Sequence, residues 1–324
     1  DATLVLPRSV LGTHYRVMNY DTTAGLFVVV ALECNTTVQI TPSNTTLAGS
    51  AGGVPFTVVL DSGQTYQVKA TAVAGLIGSV VETLDNKPIA VFGGHNIAVI
   101  GNCMAGDHIM DQLYPTELWG TEYITNPLQS RTWDQIMILA NTNGTDVTID
   151  GGTPITLNAG DFIDTAVSAP IYISSTAPVA VSEFATGAAC FNNSIGPYGD
   201  PFMVGLNPLS FTIDTTLFEA LGTLGASTVH YVNIVAKTSG VPIMELDGSS
   251  ISGMFTTVAG NGLYSYASTS ITPGTHTLTG DSGFTAFTYG FANKVAYCYS
   301  LGNTNGDPVF YSGTGAVTTS VSAD

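Results

Sequence analysis

A proline followed at fixed spacing by glycine, threonine and tyrosine occurs twice in this 324-residue chain. "VLPRSVLGTHY" carries Pro7, Gly12, Thr13 and Tyr15, and "LYPTELWGTEY" carries Pro115, Gly120, Thr121 and Tyr123. "LNPLSFTID", with Pro208, continues the series without the Gly-Thr-x-Tyr part. Each proline opens the same run of elements. An apolar strand leads into an alternating one in "FVVVALECNTTVQITP", "QIMILANTNGTDVTIDGG" and "YVNIVAKTSGVPIMELDGS". β-Branched enrichment, period-two alternation and Gly/Asn/Asp turns make these strand, turn, strand. Each run closes on another apolar strand, "NKPIAVFGG", "TAPVAVSEF" or "DSGFTAFTYG", with Pro88, Pro178 and Gly283 in the same place. A recurrence of about a hundred residues, with strands at roughly eight-to-twelve-residue spacing, predicts an all-β fold of three tandem β-sandwich-like repeats. The arrangement is pseudo-threefold, with few or no helices; short helical turns are expected only around Met110 to Leu118 and Thr215 to Leu221. A single propeller fits less well, because each unit has too many strands for one four-stranded blade.

The expected units are residues 1–105, 106–198 and 199–305, followed by a C-terminal segment, 306–324. Gly-Asp recurs after the late cysteines, at Asp107, Asp200 and Asp307. The first two Gly-Asp segments lead into the next unit's proline, giving the inter-repeat junction residues Asp107, Met110, Leu113, Pro115, Asp200, Met203, Leu206 and Pro208. The third segment, Asp307, Pro308, Val309, Phe310 and Tyr311, has no successor, while Leu4, Leu6 and Pro7 have no predecessor. These two ends read as halves of one junction. Either they meet within the molecule and close a ring, or the tail of one subunit docks on the head of the next, since unpaired strand edges are paired, covered or exploited.

Charge narrows the partners. Seven Lys+Arg against 24 Asp+Glu give a formal net charge of -17, which repels nucleic acid and anionic lipid. No stretch approaches a membrane span; "GLFVVVAL" has the length of a buried strand. With 44% hydrophobic residues and few solvating charges, some apolar surface is expected to meet another molecule or another copy. Cys34, Cys103, Cys190 and Cys298 are even in number without a C-x-x-C pair, which fits up to two disulfides in an oxidising compartment, with three pairings possible. The chain opens at Asp1 without Met, as a processed chain does, and Asn35, Asn44, Asn143 and Asn192 begin N-x-[ST] sequons.

Residues able to do chemistry are sparse. His95, Cys103, Asp107 and His108 form the nearest approach to a metal set, but the other two copies lack both histidines, and a disulfide half beside a turn aspartate is more economical. Asp107, Asp200 and Asp307 read as turn residues rather than calcium ligands, in the absence of a D-x-[DN]-x-[DN]-G loop. No G-x-S-x-G elbow, H-E-x-x-H or phosphate-cradling loop occurs. Paired carboxylates of a glycosidase are not apparent, the acids falling mostly in turn-like words. Trp119, Trp133, Tyr264 and Tyr266 could stack on sugar rings, although core or interface anchoring is the commoner fate.

The words "NKPIAVFGGHNIAV", "GDHIMDQLYPTELWGTEYI", "APVAVSEFATG", "GDPFMVGLNP", "HYVNIVAKTSGVPIMELDGS" and "TPGTHTLTGDSGFTAFTYGF" occur in an order that resembles the IgGFc-binding protein N-terminal domain family. The resemblance implies a secreted or cell-surface, non-enzymatic, all-β module concerned with adhesion or matrix. It also implies a cysteine pair in the region of "GH…CDH", of which this chain keeps only Cys103. The Fc-binding of the family name has no residues here to attach to. The expected function is a structural protein self-assembling head to tail into a filament or layer, with other copies of itself as partners and no cofactor. The alternative is a monomeric adhesin that binds mucus or glycan.

Overall fold

The computed structural model describes residues 2–20, 25–71, 75–190, 199–222 and 228–302. Its strands are β1 (His14–Arg16), β2 (Gly25–Ala31), β3 (Thr36–Thr41), β4 (Phe56–Leu60), β5 (Thr65–Lys69), β6 (Val80–Thr83), β7 (Ile89–Ala98) and β8 (Asp107–Gln112). There follow β9 (Gly120–Ile124), β10 (Asp134–Ala140), β11 (Thr145–Ile149), β12 (Ile155–Leu157), β13 (Phe162–Val167), β14 (Tyr172–Phe184) and β15 (Met203–Gly205). The last group is β16 (Ile213–Ala220), β17 (Val229–Lys237), β18 (Glu245–Leu246), β19 (Ser249–Ser250), β20 (Thr256–Thr257), β21 (Tyr264–Ile271), β22 (Gly274–Ala292) and β23 (Val295–Ser300). Helical segments among the described residues are short 3-10 turns, so the all-β expectation holds. Thr116–Leu118 is such a turn, but Met110 lies in β8 and Thr215 to Ala220 in β16, where pairing with β22 overrides any local helical preference.

All pairing is antiparallel. Two four-stranded sheets, β1-β6-β3-β4 and β5-β2-β7-β8, hold the first part of the chain. A seven-stranded sheet, β12-β11-β14-β10-β13 with β9 and β15 on β14, holds the second. An eight-stranded sheet, β19-β18-β22-β17-β21-β20 with β16 and β23 on β22, holds the third. The sheet count differs for a local reason. Asn86, in the left-handed region at φ 57°, and Pro88 break the chain between β6 and β7, whereas β14 runs through Pro178 with a register shift and β22 runs through Gly283. One long strand thereby joins what are two sheets in the first part.

Register recurs where the sequence words recur. Ala31 pairs with Ile89, Ala140 with Val179 and Ala236 with Phe284, each partner directly after Pro88, Pro178 or Gly283. Phe92 pairs with Gln112, Ser182 with Gly205 and Phe287 with Ser300. In the third part the counterpart of β8 and β15 is therefore β23, "VAYCYS", which lies before Gly306-Asp307. The tight turn at Asn293-Lys294, with Lys294 at φ 59°, returns the chain at once. Asp307, Pro308, Val309, Phe310 and Tyr311 lie outside the described residues.

The cores cross the expected boundaries at 105/106 and 198/199. Every residue of β10 is buried. Met137 and Leu139 join the core of Phe27, Val29, Val38 and Ile40, while Ile136, Ile138 and Ala140 join that of Val147, Ile173 and Val181. β17 does the same: Tyr231 belongs to the second core, and Val232, Ile234 and Ala236 to the third. A strand buried on both faces reads as a continuous apolar run, which is why "QIMILA" lacks the in-out alternation of β2. Each such side chain contributes about 1.5–3 kcal/mol of burial.

Candidate functional site

The proline segments build the junctions. A side-chain carbon placed on Gly12 would lie 2.5 Å from Pro115 Cβ, and one on Gly120 would lie 2.2 Å from Pro208 Cβ. Only glycine leaves room for the following proline at this separation. Beneath each seat a tyrosine is held identically. Tyr15 Oη accepts from Gly12 N at 3.0 Å and donates to Ile89 O at 2.7 Å; Tyr123 Oη accepts from Gly120 N at 3.0 Å and donates to Val179 O at 2.7 Å. Burial pushes both phenols well above their ordinary range. At the third position the seat is Ile213, buried, and Thr216 replaces the tyrosine.

Within the described residues, the expected junction residues lie on or near β8 and β15 or in the N-terminal segment. Leu4 and Leu6 pack with Leu118, Tyr114 and Phe211 of the same chain. Leu6 N donates to Gln112 Oε1 at 2.9 Å, and Gln112 N donates to Thr3 Oγ1 at 3.0 Å, so the N-terminal segment is seated on β8. Pro7 stays half-buried. Asp111, buried, accepts from Thr3 Oγ1, Gln112 N and Gly205 N, joining that segment to β8 and β15. Burial raises its carboxyl to about 6 against the three donors. At the next junction Asn207 Nδ2 donates to Ser300 Oγ at 3.0 Å and Gly302 O at 2.7 Å. Leu113, Pro115, Met203, Leu206 and Pro208 are buried, and Met110 is 39% exposed. Asp107 accepts from His108 N and contacts its ring, while Asp200 is buried with its carboxyl raised by burial and by neighbouring Asp107.

Cys103 pairs with Cys190 across 87 residues of sequence, with Cα atoms 5.4 Å apart. This bond fastens the loop before β8 to the loop after β14. The partner of Cys103 is thus distant in sequence, unlike the pair the resemblance implies near "GH…CDH". Cys34 is exposed and Cys298 buried, both as free thiols, so four cysteines yield one bridge. Cys298 sits inside β23, where its side chain packs in the core rather than in a loop. With Cys103 oxidised, His95, Asp107 and His108 do not form a metal set. No cluster of three His/Cys/Asp/Glu able to hold a metal occurs among the described residues.

The aromatic candidates for sugar stacking are anchored. Trp119 is buried and its Nε1 donates to Tyr114 O at 3.2 Å. Trp133 lies against Gly101. Tyr264 and Tyr266 pack, with Tyr172, on Ile124, Leu209, Val235 and Val258, bridging the second and third parts. Tyr172 Oη donates to the Glu122 carboxylate, and burial followed by that carboxylate raises the phenol to about 12.

Three ionisable residues escape a sequence reading. Asp134 and Glu183 are fully buried against each other, with Arg131 near Asp134 and 3.8 Å from the centroid of the Phe291 ring. Burial raises both carboxyls; Asp134 raises Glu183 further, while the Leu128 N–H, Arg131 and the contact with Glu183 lower Asp134. A carboxylate inside "VAVSEFA" was the available signal, since charge seldom interrupts a core strand. Neither acid is accessible to a substrate, so the pair acts on the fold.

An antiparallel β architecture with interlocked junctions and no assembled reactive cluster among the described residues defines a class of β-sandwich-like modules. The family model for IgGFc binding protein matches residues 1–290, and the chain belongs to that family. The human IgGFc-binding protein is 28% identical over 317 residues, covering 92% of this chain and 6% of its own length. The chain therefore spans a small part of that relative. A solved structure of an anti-sigma factor domain-containing protein from Clostridium clariflavum aligns over 90% of this chain and 81% of its own, at 7% identity and a TM-score of 0.15, which carries no argument.

Proposed function

We propose that this chain is a non-catalytic, extracellular binding module whose ligand is a secreted glycoprotein, with IgG Fc the first to test. Its membership of the IgGFc-binding family carries this reading. The Cys103–Cys190 disulfide supports an oxidising compartment, and no helix among the described residues is long and apolar enough to cross a membrane. Surface plasmon resonance of the monomeric chain on immobilised Fc, on enzymatically deglycosylated Fc and on purified mucin glycans tests it. Saturable binding to both Fc forms identifies a protein ligand, and loss on deglycosylation identifies the glycan. No saturable binding to any of the three overturns the proposal.

The organisation proposed with it is three units, 1–105, 106–198 and 199–305, supported by the recurring register and the recurring proline seats. Head-to-tail assembly through 306–324 has weaker support. A further proline would need a glycine seat, and Ile213 fills that space. Electron microscopy of the full chain and of a variant lacking residues 312–324 decides it: filaments in the first and monomers in the second would restore assembly.

A further inference from the structure

His276 lies near the start of β22 with its side chain 7% exposed. Both ring nitrogens face acceptors. Nδ1 is 2.7 Å from Asp247 Oδ2, in the turn between β18 and β19, and Nε2 is 2.7 Å from Thr272 O, in the turn between β21 and β22. A neutral imidazole has one N–H and one lone pair, so it satisfies one of these oxygens and repels the other. Imidazolium donates to both. The Asp247 turn is also tied to β22 through Thr277, whose N donates to Asp247 Oδ1 at 2.9 Å and whose O accepts from Asp247 N at 2.8 Å, and β18 pairs with β22 at Glu245 and Leu246.

We propose that His276 is a proton-operated clasp, which fastens the β18–β19 turn to the β21–β22 turn in acid and releases it as the pH rises. The charged groups facing it favour this. Besides Asp247, Glu219 on β16 lies nearby, its carboxylate accepting from Thr275 Oγ1 at 2.7 Å. His230 on β17 opposes it, being itself held down by burial and by His276. Phe218 on β16 covers the ring at 5.5 Å between centroids. Burial disfavours the cation, and the Thr272 and Asp247 contacts outweigh burial, so His276 is raised and Asp247 correspondingly lowered. A histidine raised by its partners gives stability that is full below about 6.5 and lost as pH passes its folded value. The segment it controls, residues 247–250, is exposed, while Glu245 and Leu246 stay paired with β22, so release alters a surface turn and leaves the cores in place.

The clasp is independent of the ligand proposed above, and its test needs none. Proton NMR of the full chain from pH 5 to 9 follows the His276 ring, and hydrogen exchange follows the Asp247 and Thr277 amides, corrected for the intrinsic pH dependence. The expected midpoint lies above about 6.5, with amide protection falling several-fold through it. His276→Gln is expected to abolish that pH dependence. Asp247→Asn, which keeps the imidazole, is expected to lower the midpoint by about one unit. A midpoint at or below about 6.5, protection indifferent to pH, or a midpoint unmoved in Asp247→Asn overturns the proposal.

Discussion

The first two parts of the molecule are fastened to each other and onward by devices that the third part lacks. Gly12 and Gly120 receive the following proline, Tyr15 and Tyr123 pin the backbone under each seat, and Cys103 and Cys190 bridge their loops. In the third part the same positions hold Ile213 and Thr216, and its late cysteine, Cys298, is a buried thiol inside a strand. Here the apolar core takes over: Ile213 packs with Phe218, Ile234, Leu278 and Phe284, and β22 runs nineteen residues as a spine for the sheet. Glycine stands at the two positions where a proline lands, and the third position holds the buried Ile213. The contrast is confined to the proline seat, the tyrosine beneath it and the disulfide; the third part has polar contacts of its own, among them Tyr299 Oη, which accepts from Glu219 N at 3.0 Å and donates to Glu219 O at 2.6 Å.

The disulfide offers the largest test of that contrast. A bridge closing a loop of this length restrains the unfolded chain by about 4 kcal/mol. The Cys103→Ser/Cys190→Ser pair is therefore expected to lose about that amount in denaturant unfolding. Cys298→Ala, which deletes one buried sulfur, is expected to cost about 1 kcal/mol. Equal losses would remove the distinction between the two regions. Next comes Gly120→Ala. Its new methyl overlaps Pro208, and overpacking of this kind costs about 1–3 kcal/mol. Ile213→Val, at the equivalent position, is expected to cost about 1 kcal/mol by creating a small cavity instead. Melting temperatures of the two variants separate steric conflict from lost burial.

Acid behaviour should also divide the junctions. Asp111 bridges the N-terminal segment, β8 and β15, while Val204 holds the corresponding place on β15. The carboxyl is raised to about 6 by burial, so the fold favours its protonated form. Its contribution is full below about 3.9 and is lost as pH climbs through about 6. Asp111→Asn should flatten the stability profile across that window in thermal melts taken at half-unit intervals. An unchanged slope assigns the pH dependence elsewhere.

Much of this was legible in the sequence, and the parts that were not have physical causes. The strand-turn-strand words and the places of Pro88, Pro178 and Gly283 agree with the observed register. Period-two alternation exposes a half-buried strand directly, as in β2. The double-sided burial of β10 was not legible as a contact with two cores, because an apolar run does not say what covers each face. Nor could the Cys103–Cys190 pairing be read, since it depends on two loops meeting in space. The surroundings of the third late cysteine were not legible for a related reason. Cys298 follows its apolar strand at much the same distance as Cys103 follows its own, yet a tight turn at Lys294 puts it within β23. Asp134 and Glu183, though visible as letters, gain significance only when both prove buried against each other.

The finest division lies in single hydroxyl groups. Tyr123→Phe keeps the ring and removes one oxygen, leaving Gly120 N without its acceptor and Val179 O without its donor in a buried site. A loss of about 2 kcal/mol is expected, and Tyr15→Phe should match it because its two bonds have the same lengths. Thr216 makes one bond, to Leu301 O at 3.1 Å, in a half-buried position where water can substitute. Thr216→Val should therefore cost less than about 1 kcal/mol. Denaturant midpoints for the three variants, measured with an unchanged slope, give the comparison. If Thr216→Val costs as much as either tyrosine variant, the third part depends on the same hydroxyl anchor as the first two, and its difference is confined to the missing glycine seat.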